Sequence, residues 1–321
     1  MSSDLDALKP DVATPRAASG RLAHLGVLRF AGPDAINFLQ GQVSNDTQPL
    51  AQGAALLAAY STAQGRVLAV LRLLPHSSGV MAILPRELVL STLERLRKFV
   101  LRAKVQIEDA SERFSVIGTH DAAALQESAG IGPPAFGKSY LEHAGVGIAR
   151  AADAGSDRYW VIRPTSGGAR DDAAASDPAA RARVERDWRL ADIRAGLPQV
   201  YAATSEQFVA QMLNLDLLDG ISFSKGCYTG QEIIARTQHL GRIKRRMVRL
   251  RLPAGNWSIG QPLRLADGRS GRLAELASPG AHFEALAVLT LDPGAGADSG
   301  DAPPDLAQAV ELPLPYTLKD R

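Results

Sequence analysis

The sequence predicts an α+β protein with an all-β C-terminal part, and three observations support this fold class. Strand-like and helix-like segments are interspersed up to about residue 240. Beyond that point, short apolar runs are separated by Gly, Pro and Asn, which is typical of a small antiparallel barrel. The chain has 321 residues, which is enough for two or three domains. The split between the two parts is predicted near Gly241.

Apolar runs and turn residues define the elements of the first part. Pro33 and Pro85 are placed to open helices, and Gly196 is placed to end one. The predicted strands are 21–31, 54–60, 66–74, 79–84, 105–108, 113–118, 158–163 and 221–224. The predicted helices are 34–42, 85–103, 121–129 and 182–195, with a further helix directly after residue 230. Residues 130–147 are predicted to be loop, and residues 165–177 a mobile surface loop.

The all-β part is predicted from residues 247–252, 261–265, 271–277, 283–291 and 309–314, with a flexible loop at 292–304.

Composition and charge favour a globular cytoplasmic protein. Hydrophobic residues make up 45% of the chain and charged residues 22%, and the net charge of +2 does not by itself require a nucleic acid partner. A single cysteine excludes an internal disulfide and suits a reducing compartment. Residues 1–18 carry Asp4, Asp6 and Asp11 and have no apolar core of a signal peptide, so we expect a loose arm there. No apolar run approaches the ~20 residues of a membrane span, and six scattered histidines disfavour a His-based metal site.

The only cysteine, Cys227, lies in the octapeptide Lys225-Gly226-Cys227-Tyr228-Thr229-Gly230-Gln231-Glu232, just before a predicted helix. A nearby ammonium and the positive end of a helix dipole both raise the thiolate fraction of a cysteine. Gly226 and Gly230 permit positive φ and a close approach of the backbone to a ligand. A lone cysteine is also commonly a small core residue, so a buried Cys227 is the alternative.

Two other features have a structural and a functional interpretation. Trp188 is either a core residue or a platform for a planar ligand. The basic stripe from Arg242 to Arg251 is either the solvated face of a strand or a weak contact for RNA or another anion.

The octapeptide resembles the signature of the YgfZ-type folate-binding proteins, relatives of the glycine-cleavage aminomethyltransferase that act in iron–sulfur cluster maintenance. Further segments resemble the same family over nearly the whole chain: residues 32–34, 38–42, 64–66, 188–198, 220–224, 235–236, 244–246 and 314–318. The resemblance implies an aminomethyltransferase-like ring of three domains, two of them α+β and the third a C-terminal antiparallel barrel. The implied domains are residues 19–115 with 185–240, residues 116–184 and residues 241–321, after a flexible arm at 1–18.

The resemblance also implies that tetrahydrofolate, or another reduced folate, binds in a central channel that Lys225 and Cys227 face as the catalytic pair. The folate contacts that it implies are Trp188, Gly226, Tyr228, Gly230, Gln231, Glu232, Arg236, Gln40 and Gln42. The chain departs from the pattern in two places. Leu25 replaces a tryptophan of some members, and Arg194 replaces a glutamate of the aminomethyltransferases. In addition, residues 66–74 lack the acid that those enzymes carry after the corresponding hairpin.

These features favour a folate-binding accessory protein for iron–sulfur cluster assembly or repair, with effects on cluster enzymes that include tRNA modification. Its partners would be iron–sulfur proteins or assembly factors, and no membrane is expected. A folate-dependent aminomethyl or methyl transferase is the alternative. It is less favoured because aminomethyl transfer needs a positioned acid, which the chain lacks at the expected place. An RNA-binding factor using the basic stripe is a third hypothesis.

Overall fold

The structure, a computed structural model, describes residues 19–120, 122, 125–126, 132–134, 140–151, 158–165, 177–239, 243–293, 305–306 and 308–318. The predicted arm at residues 1–18 lies outside these ranges. So do most of the predicted helix at 121–129 and most of the predicted loops at 165–177 and 292–304.

The described residues form short helices and three sheets. The helices are α1 (Ala35–Gln40), α2 (Val89–Arg97), α3 (Pro178–Arg194) and α4 (Gln231–His239), with 3₁₀ turns at Gln48–Gln52, Arg86–Leu88, Ala202–Thr204 and Ala210–Leu213. The strands are β1 (Gly20–Arg21), β2 (Leu25–Ala31), β3 (Leu56–Ser61), β4 (Val67–His76), β5 (Gly79–Pro85), β6 (Gln106–Asp109), β7 (Phe114–Thr119), β8 (Tyr140–His143), β9 (Val146–Arg150), β10 (Tyr159–Pro164), β11 (Arg245–Leu252), β12 (Pro262–Leu265), β13 (Ser270–Ala277), β14 (Phe283–Thr290), β15 (Asp305–Leu306) and β16 (Val310–Leu312).

The N-terminal sheet has the strand order β3-β4-β5-β2-β6, and every neighbouring pair is antiparallel. Its second strand, β4, has eight of its ten residues buried, as its apolar sequence predicts. One face of this sheet contributes to the largest hydrophobic core, together with side chains of α1, α2 and α4. Helices α1 and α4 therefore share this core.

The middle sheet has the order β1-β7-β10-β9-β8, and a second core separates it from the N-terminal sheet. Helix α3 contributes Val184 and Trp188 to this core. The helix starts at Pro178, with the Asp177 side chain accepting a hydrogen bond from the Ala179 N–H, and it ends before Gly196, whose φ is +66°. The predicted end of α3 is confirmed, whereas the helix starts four residues before the predicted position 182.

The C-terminal sheet has the order β15-β12-β13-β14-β11-β16 and a core of its own. Neighbouring strands are antiparallel except for β12 and β15. Within the described residues its end strands, β15 and β16, do not pair with each other. The predicted antiparallel strands are confirmed, whereas closure into a barrel is not.

Two buried glutamates join α3 to the C-terminal sheet. Glu275 of β13 accepts hydrogen bonds from Arg189 of α3, at 3.0 and 2.5 Å, and from the Tyr201 hydroxyl. Glu284 of β14 accepts from Arg194 at 2.6 Å and from Arg249 of β11 at 2.7 Å. Each buried carboxylate is thus paired with guanidinium groups, as burial of charge requires.

Four predicted elements differ from the structure. The strand 21–31 is interrupted by a turn between β1 and β2. The helix 85–103 is a 3₁₀ turn followed by α2 alone, since residues 98–101 form tight turns. The predicted loop 130–147 is wrong where β8 and β9 form a hairpin around Ala144 and Gly145, both with positive φ. Residues 221–224 are not a strand, since the segment joins none of the three sheets and Ser222 instead donates its N–H to Ser44 O.

None of the helices in the described ranges combines the length and the hydrophobicity that a membrane crossing requires.

The ion pairs of Glu284 predict a specific pH dependence of stability. Burial raises the pKa of Glu284, but the hydrogen bonds and charges of Arg194 and Arg249 outweigh it and hold the pKa below its ordinary value of 4.5. The carboxylate therefore contributes stability that is fully present above pH 4.5 and is lost as the pH falls through the lower folded pKa. We expect the free-energy gap between the native chain and Glu284→Gln to shrink as the pH is lowered below about 4.5 in denaturant titrations.

Glu112→Gln is the matched control, since Glu112 pairs with Arg86 at a side-chain exposure of 82% and such pairs contribute little. A Glu284→Gln gap that is independent of pH between about 6 and 3 would contradict the assignment of a depressed pKa.

Candidate functional site

The octapeptide predicted from the sequence forms an exposed loop that leads into α4. Cys227 is exposed to solvent and has no disulfide partner, so the alternative of a buried core cysteine is excluded. Its neighbour Tyr228 is buried, and burial raises the pKa of the Tyr228 hydroxyl to about 12. The loop thus anchors one side chain in the core and presents the thiol to solvent.

Lys225 holds this loop against the C-terminal end of α1. Its ammonium donates three hydrogen bonds to main-chain carbonyls, to Gln40 O at 2.6 Å, Val43 O at 2.8 Å and Asn45 O at 2.8 Å. A lysine ammonium has three donors, and all of them are used. The carbonyls near a helix C-terminus carry the negative end of its dipole and lack intrahelical partners, so a cation suits this place. Lys225 therefore acts as a clamp between two segments far apart in sequence.

The protonation state of Lys225 follows from its surroundings. Burial lowers its pKa to about 8, while the Asp46 carboxylate acts in the opposite direction. The three carbonyl acceptors favour the charged form, and the ammonium nitrogen lies 4.9 Å from the centre of the Tyr228 ring. No hydrogen bond joins Lys225 to Cys227 in the described part of the chain. The predicted assistance of the Cys227 sulfur by the Lys225 ammonium is therefore not supported by a direct contact.

Further bonds fix the segment before the loop. The Ser44 hydroxyl donates to Gly220 O at 2.6 Å, and the Ser222 N–H donates to Ser44 O at 3.0 Å. The Asn45 side-chain amide donates to Asp219 O at 2.6 Å. Residues 43–45 and 219–225 are thus joined by side chains and main chain together, which makes the clamp part of a continuous network.

The two glycines of the octapeptide play different roles. Gly230 has a φ of +85°, and a Cβ at this position would lie 2.6 Å from Thr62 O in the β3–β4 turn. Gly65 of the same turn has a φ of +71° and faces Ile233 of α4 in the same way. The prediction of positive φ at Gly230 is therefore confirmed. Gly226 does not have a positive φ, and a Cβ there would meet no atom within 4 Å, so this loop does not use the freedom that glycine permits; its contact with a folate stays a prediction.

The structure brings some of the other predicted contacts to this site. The carbonyl of Gln40 binds Lys225, and the Gln40 side chain bonds with Asp46 and Thr47. Gln42 lies in the turn that Lys225 contacts, and its buried Oε1 has no hydrogen-bond partner among the described residues. Gln231 starts α4, while Glu232 and Arg236 are exposed on it. The involvement of these residues with a folate stays a prediction.

Trp188 is a core residue and not an exposed platform. Its side chain is 2% exposed and packs edge-on against Trp160, with ring centres 4.7 Å apart, and the Arg158 guanidinium lies 4.7 Å from its ring. A Cβ on Gly118 would lie 2.3 Å from the Trp188 ring. The predicted folate contact at Trp188 is therefore corrected, because neither face of the ring is open to a ligand.

Two members of the basic stripe form ion pairs inside the protein. Arg246 is 1% exposed and forms a bidentate ion pair with Asp216, at 2.6 and 2.8 Å. Arg249 binds Glu284. Arg242 lies outside the described residues, and Arg251 is exposed. The two interpretations from the sequence both treated the stripe as solvent-facing, which is wrong for Arg246.

Sequence reasoning missed Arg72, the one charge within the apolar run of β4. It is 8% exposed, and its guanidinium lies 5.0 Å from the centre of the Trp160 ring and 3.7 Å from Asp192. Its two terminal nitrogens are buried and donate no hydrogen bond within the described residues. Asp192 is bound more closely by Arg158, at 2.9 Å. A lone arginine in a buried strand was the signal that could have identified this group.

Among the described residues, no group of three or more His, Cys, Asp and Glu side chains is arranged to hold a metal ion.

Comparison with known proteins gives the family. No protein-family model matches the chain. The tRNA-modifying protein YgfZ of Colwellia psychrerythraea is 30% identical over 309 residues, which cover 92% of each chain. The chain belongs to the YgfZ family. The tRNA-modifying protein YgfZ of Pectobacterium carotovorum is 32% identical over 251 residues, covering 74% of this chain and 73% of that one. The resemblance seen in the sequence is thereby confirmed.

A solved structure supports the fold expected of a YgfZ protein. The glycine cleavage system aminomethyltransferase T from Bartonella henselae matches with a TM-score of 0.63, covering 86% of this chain and 79% of that chain. At 17% sequence identity this likeness concerns the fold alone. The aminomethyltransferase-like fold is confirmed, and the enzyme's chemistry is not implied by it.

The clamp predicts the effect of removing the Lys225 ammonium. In Lys225→Met the stem of the side chain is kept and three carbonyls lose their donor, which we expect to cost about 1–3 kcal/mol of unfolding free energy. Amide hydrogen exchange of residues 223–230 should accelerate, because the loop loses its tie to α1. Lys244→Met, on an exposed lysine, is the control and should change stability by less than about 0.5 kcal/mol.

Alkylation of the single cysteine separates the two roles of Lys225. If Lys225→Met slowed the alkylation of Cys227 while stability and hydrogen exchange stayed as in the native chain, Lys225 would act on the thiol and not as a clamp.

Proposed function

We propose that this YgfZ-family chain is a folate-binding accessory protein for the assembly or repair of iron–sulfur clusters, using Cys227 as its reactive group. The observation that carries the proposal is the exposure of the only thiol on a loop that Lys225 fixes to α1. The relatives' name, tRNA-modifying protein, fits an effect on tRNA modification through enzymes that depend on such clusters. Iron–sulfur proteins or assembly factors would be the partners.

A single exposed cysteine sulfur suits the transient transfer of iron or sulfur better than the stable binding of a cluster. Stable clusters normally take four ligands, so Cys227 alone cannot hold one. Its sulfur can donate an electron pair to a cluster iron whose other ligands come from a partner, and it can release that iron when the partner's own ligand returns. It can also react with the outer sulfur of a partner persulfide, so that the sulfur moves to Cys227 and the partner thiolate leaves. Both steps need a protein partner beside the loop.

We place the reduced folate against buried polar atoms that make no hydrogen bond among the described residues, and not against Trp188; its entry requires the Arg72 side chain to become accessible. The buried terminal nitrogens of Arg72 are donors without an acceptor, and a carbonyl or carboxylate of a folate is such an acceptor. A folate bound there would supply a one-carbon unit or a reduced ring. The three-domain ring around a central channel, implied by the family resemblance, is part of this proposal.

Aminomethyl or methyl transfer is not favoured by these residues. Residues 66–74 contain no Asp or Glu, and Arg194 is held by Glu284 where the aminomethyltransferases carry an acid. A transferase needs a positioned acid or base at the reacting nitrogen.

The first test replaces the thiol. In a bacterial strain that lacks its own YgfZ protein, we expect the native chain to restore the activity of an iron–sulfur enzyme and Cys227→Ser to restore less than about one tenth of it. Serine keeps the size and the hydrogen-bonding capacity while removing the soft sulfur ligand. The thermal midpoint should be unchanged, since Cys227 is exposed. Equal restoration by Cys227→Ser would remove the thiolate from the mechanism.

The second test concerns the folate. We expect Arg72→Met to weaken the binding of tetrahydrofolate at least about tenfold in calorimetry, because a charge-assisted donor is lost. The variant should stay folded with at most a modest loss of stability, since Asp192 keeps its closer partner Arg158 at 2.9 Å when the 3.7 Å contact with Arg72 is removed. Arg66→Met, on an exposed arginine at the start of the same strand, is the control. Unchanged affinity in Arg72→Met would contradict this placement of the folate.

A further inference from the structure

The turn after α2 exposes two large apolar side chains, two positions apart in the sequence. Residues 97–104, called here the 97–104 turn, include Phe99 at 48% exposure and Leu101 at 86%. Val100 and Ala103 of the same turn pack against the N-terminal core. Val100 and Ala103 therefore hold the turn against the core while Phe99 and Leu101 face solvent. Exposing two large apolar side chains to water costs free energy unless a partner covers them.

The charged side chains within the 97–104 turn are all basic. The 97–104 turn carries Arg97, Lys98, Arg102 and Lys104, all exposed, and contains no acidic residue. Arg97 is partly engaged, since it donates to Ile107 O at 3.1 Å. The acids beside the turn are Glu94, on α2, and Asp34, whose carboxylate accepts a hydrogen bond from the Lys104 N–H at 2.7 Å. The surface thus presents an apolar centre with a cationic rim.

Helix α1 connects the 97–104 turn to the Cys227 loop. Asp34, directly before α1, binds the main chain of Lys104, and Gln40, the last residue of α1, binds the ammonium of Lys225. At a rise of about 1.5 Å per residue, the six residues of α1 span roughly 9 Å. The exposed turn and the thiol loop are therefore attached to opposite ends of one very short helix.

We propose that the 97–104 turn docks a protein partner that carries acidic side chains around an apolar contact surface. An apolar centre with a charged rim is the common arrangement of protein interfaces, and opposite charges guide the encounter. The turn and the Cys227 loop are attached to the two ends of one short helix, so a single partner with an interface of ordinary size can contact both. The inference rests on the proposed function only for what the partner carries, an iron–sulfur cluster or its precursors.

A basic and apolar surface also suits an anionic membrane, but the structure favours a protein. Membrane-surface segments are typically long amphipathic helices with an extended apolar face, whereas this surface has two apolar side chains on a turn. The Cys227 chemistry proposed above requires a second protein within reach of the thiol, and a lipid surface supplies neither iron nor sulfur.

The main test compares two exposed leucines. Leu101→Asp introduces a repelling charge at the centre of the proposed interface, while Leu90→Asp does the same on α2, at 63% exposure and outside the 97–104 turn. In the strain lacking its own YgfZ protein, we expect Leu101→Asp to lower the restored activity of an iron–sulfur enzyme at least about tenfold. Leu90→Asp should restore it fully, and both variants should keep the native thermal midpoint and tetrahydrofolate affinity.

A second measurement identifies the occupant. With the photo-crosslinker p-benzoylphenylalanine in place of Leu101, irradiation of living cells should give a crosslink to an acidic peptide of another protein. The crosslink should disappear when Lys98→Glu and Arg102→Glu are combined, and it should persist with Lys244→Glu, a charge reversal outside the turn. A crosslink only to a second copy of this chain would overturn the proposal. So would binding to phosphatidylglycerol vesicles that Leu101→Asp abolishes.

The outcomes separate this inference from the proposed function. If Leu101→Asp restores activity fully and Cys227→Ser does not, the docking surface is wrong and the thiol mechanism stands. If both variants restore activity as the native chain does, both proposals fail. If Leu101→Asp fails and Leu90→Asp succeeds, the docking surface is supported whatever chemistry the partner undergoes.

Discussion

The structure around the thiol depends on one ammonium group bound by three main-chain carbonyls. A short loop rich in glycine has little intrinsic order, because fixing each residue costs about 1–2 kcal/mol of conformational entropy. Lys225 offsets this cost by joining the loop to the end of α1 and to the turn after it. The same carbonyls would otherwise lack protein partners at the end of a helix. The Lys225 ammonium therefore gives the carbonyls at the helix end their hydrogen-bond donors, and these bonds in turn hold the loop in place.

Buried charges elsewhere in the molecule follow the same rule of pairing. Arg194 of α3 is paired with Glu284 on a strand of the C-terminal sheet. Arg246 and Asp216 form a further pair that connects β11 to the segment before the octapeptide. In each case a single member without its partner would leave a charge in a poorly solvated place. Arg72 is the exception, because its buried guanidinium is only incompletely paired. A bound ligand can complete that pairing.

Local patterns predicted most of the strands and the C-terminal end of α3, because alternation, proline and glycine act over a few residues. They failed where the deciding contact is distant in sequence. Residues 221–224 look like a strand, but Ser222 donates its N–H to Ser44 O and the neighbouring Gly220 O accepts from the Ser44 hydroxyl. The glycine content of residues 130–147 concealed a hairpin whose turn is Ala144-Gly145. At the candidate site, the sequence identified Cys227, Lys225 and Gly230, but not that the Lys225 ammonium faces a helix end or that Trp188 is packed in the core.

The single exposed cysteine determines how the protein can recover from oxidation. Because this sequence has no second cysteine, oxidation of Cys227 to a sulfenic acid cannot be resolved by an internal disulfide. Recovery then requires a thiol from another molecule, either a small one such as glutathione or one on a second protein. The exposure that makes the sulfur available for exchange also makes its return to the reduced state dependent on the thiol pool around it.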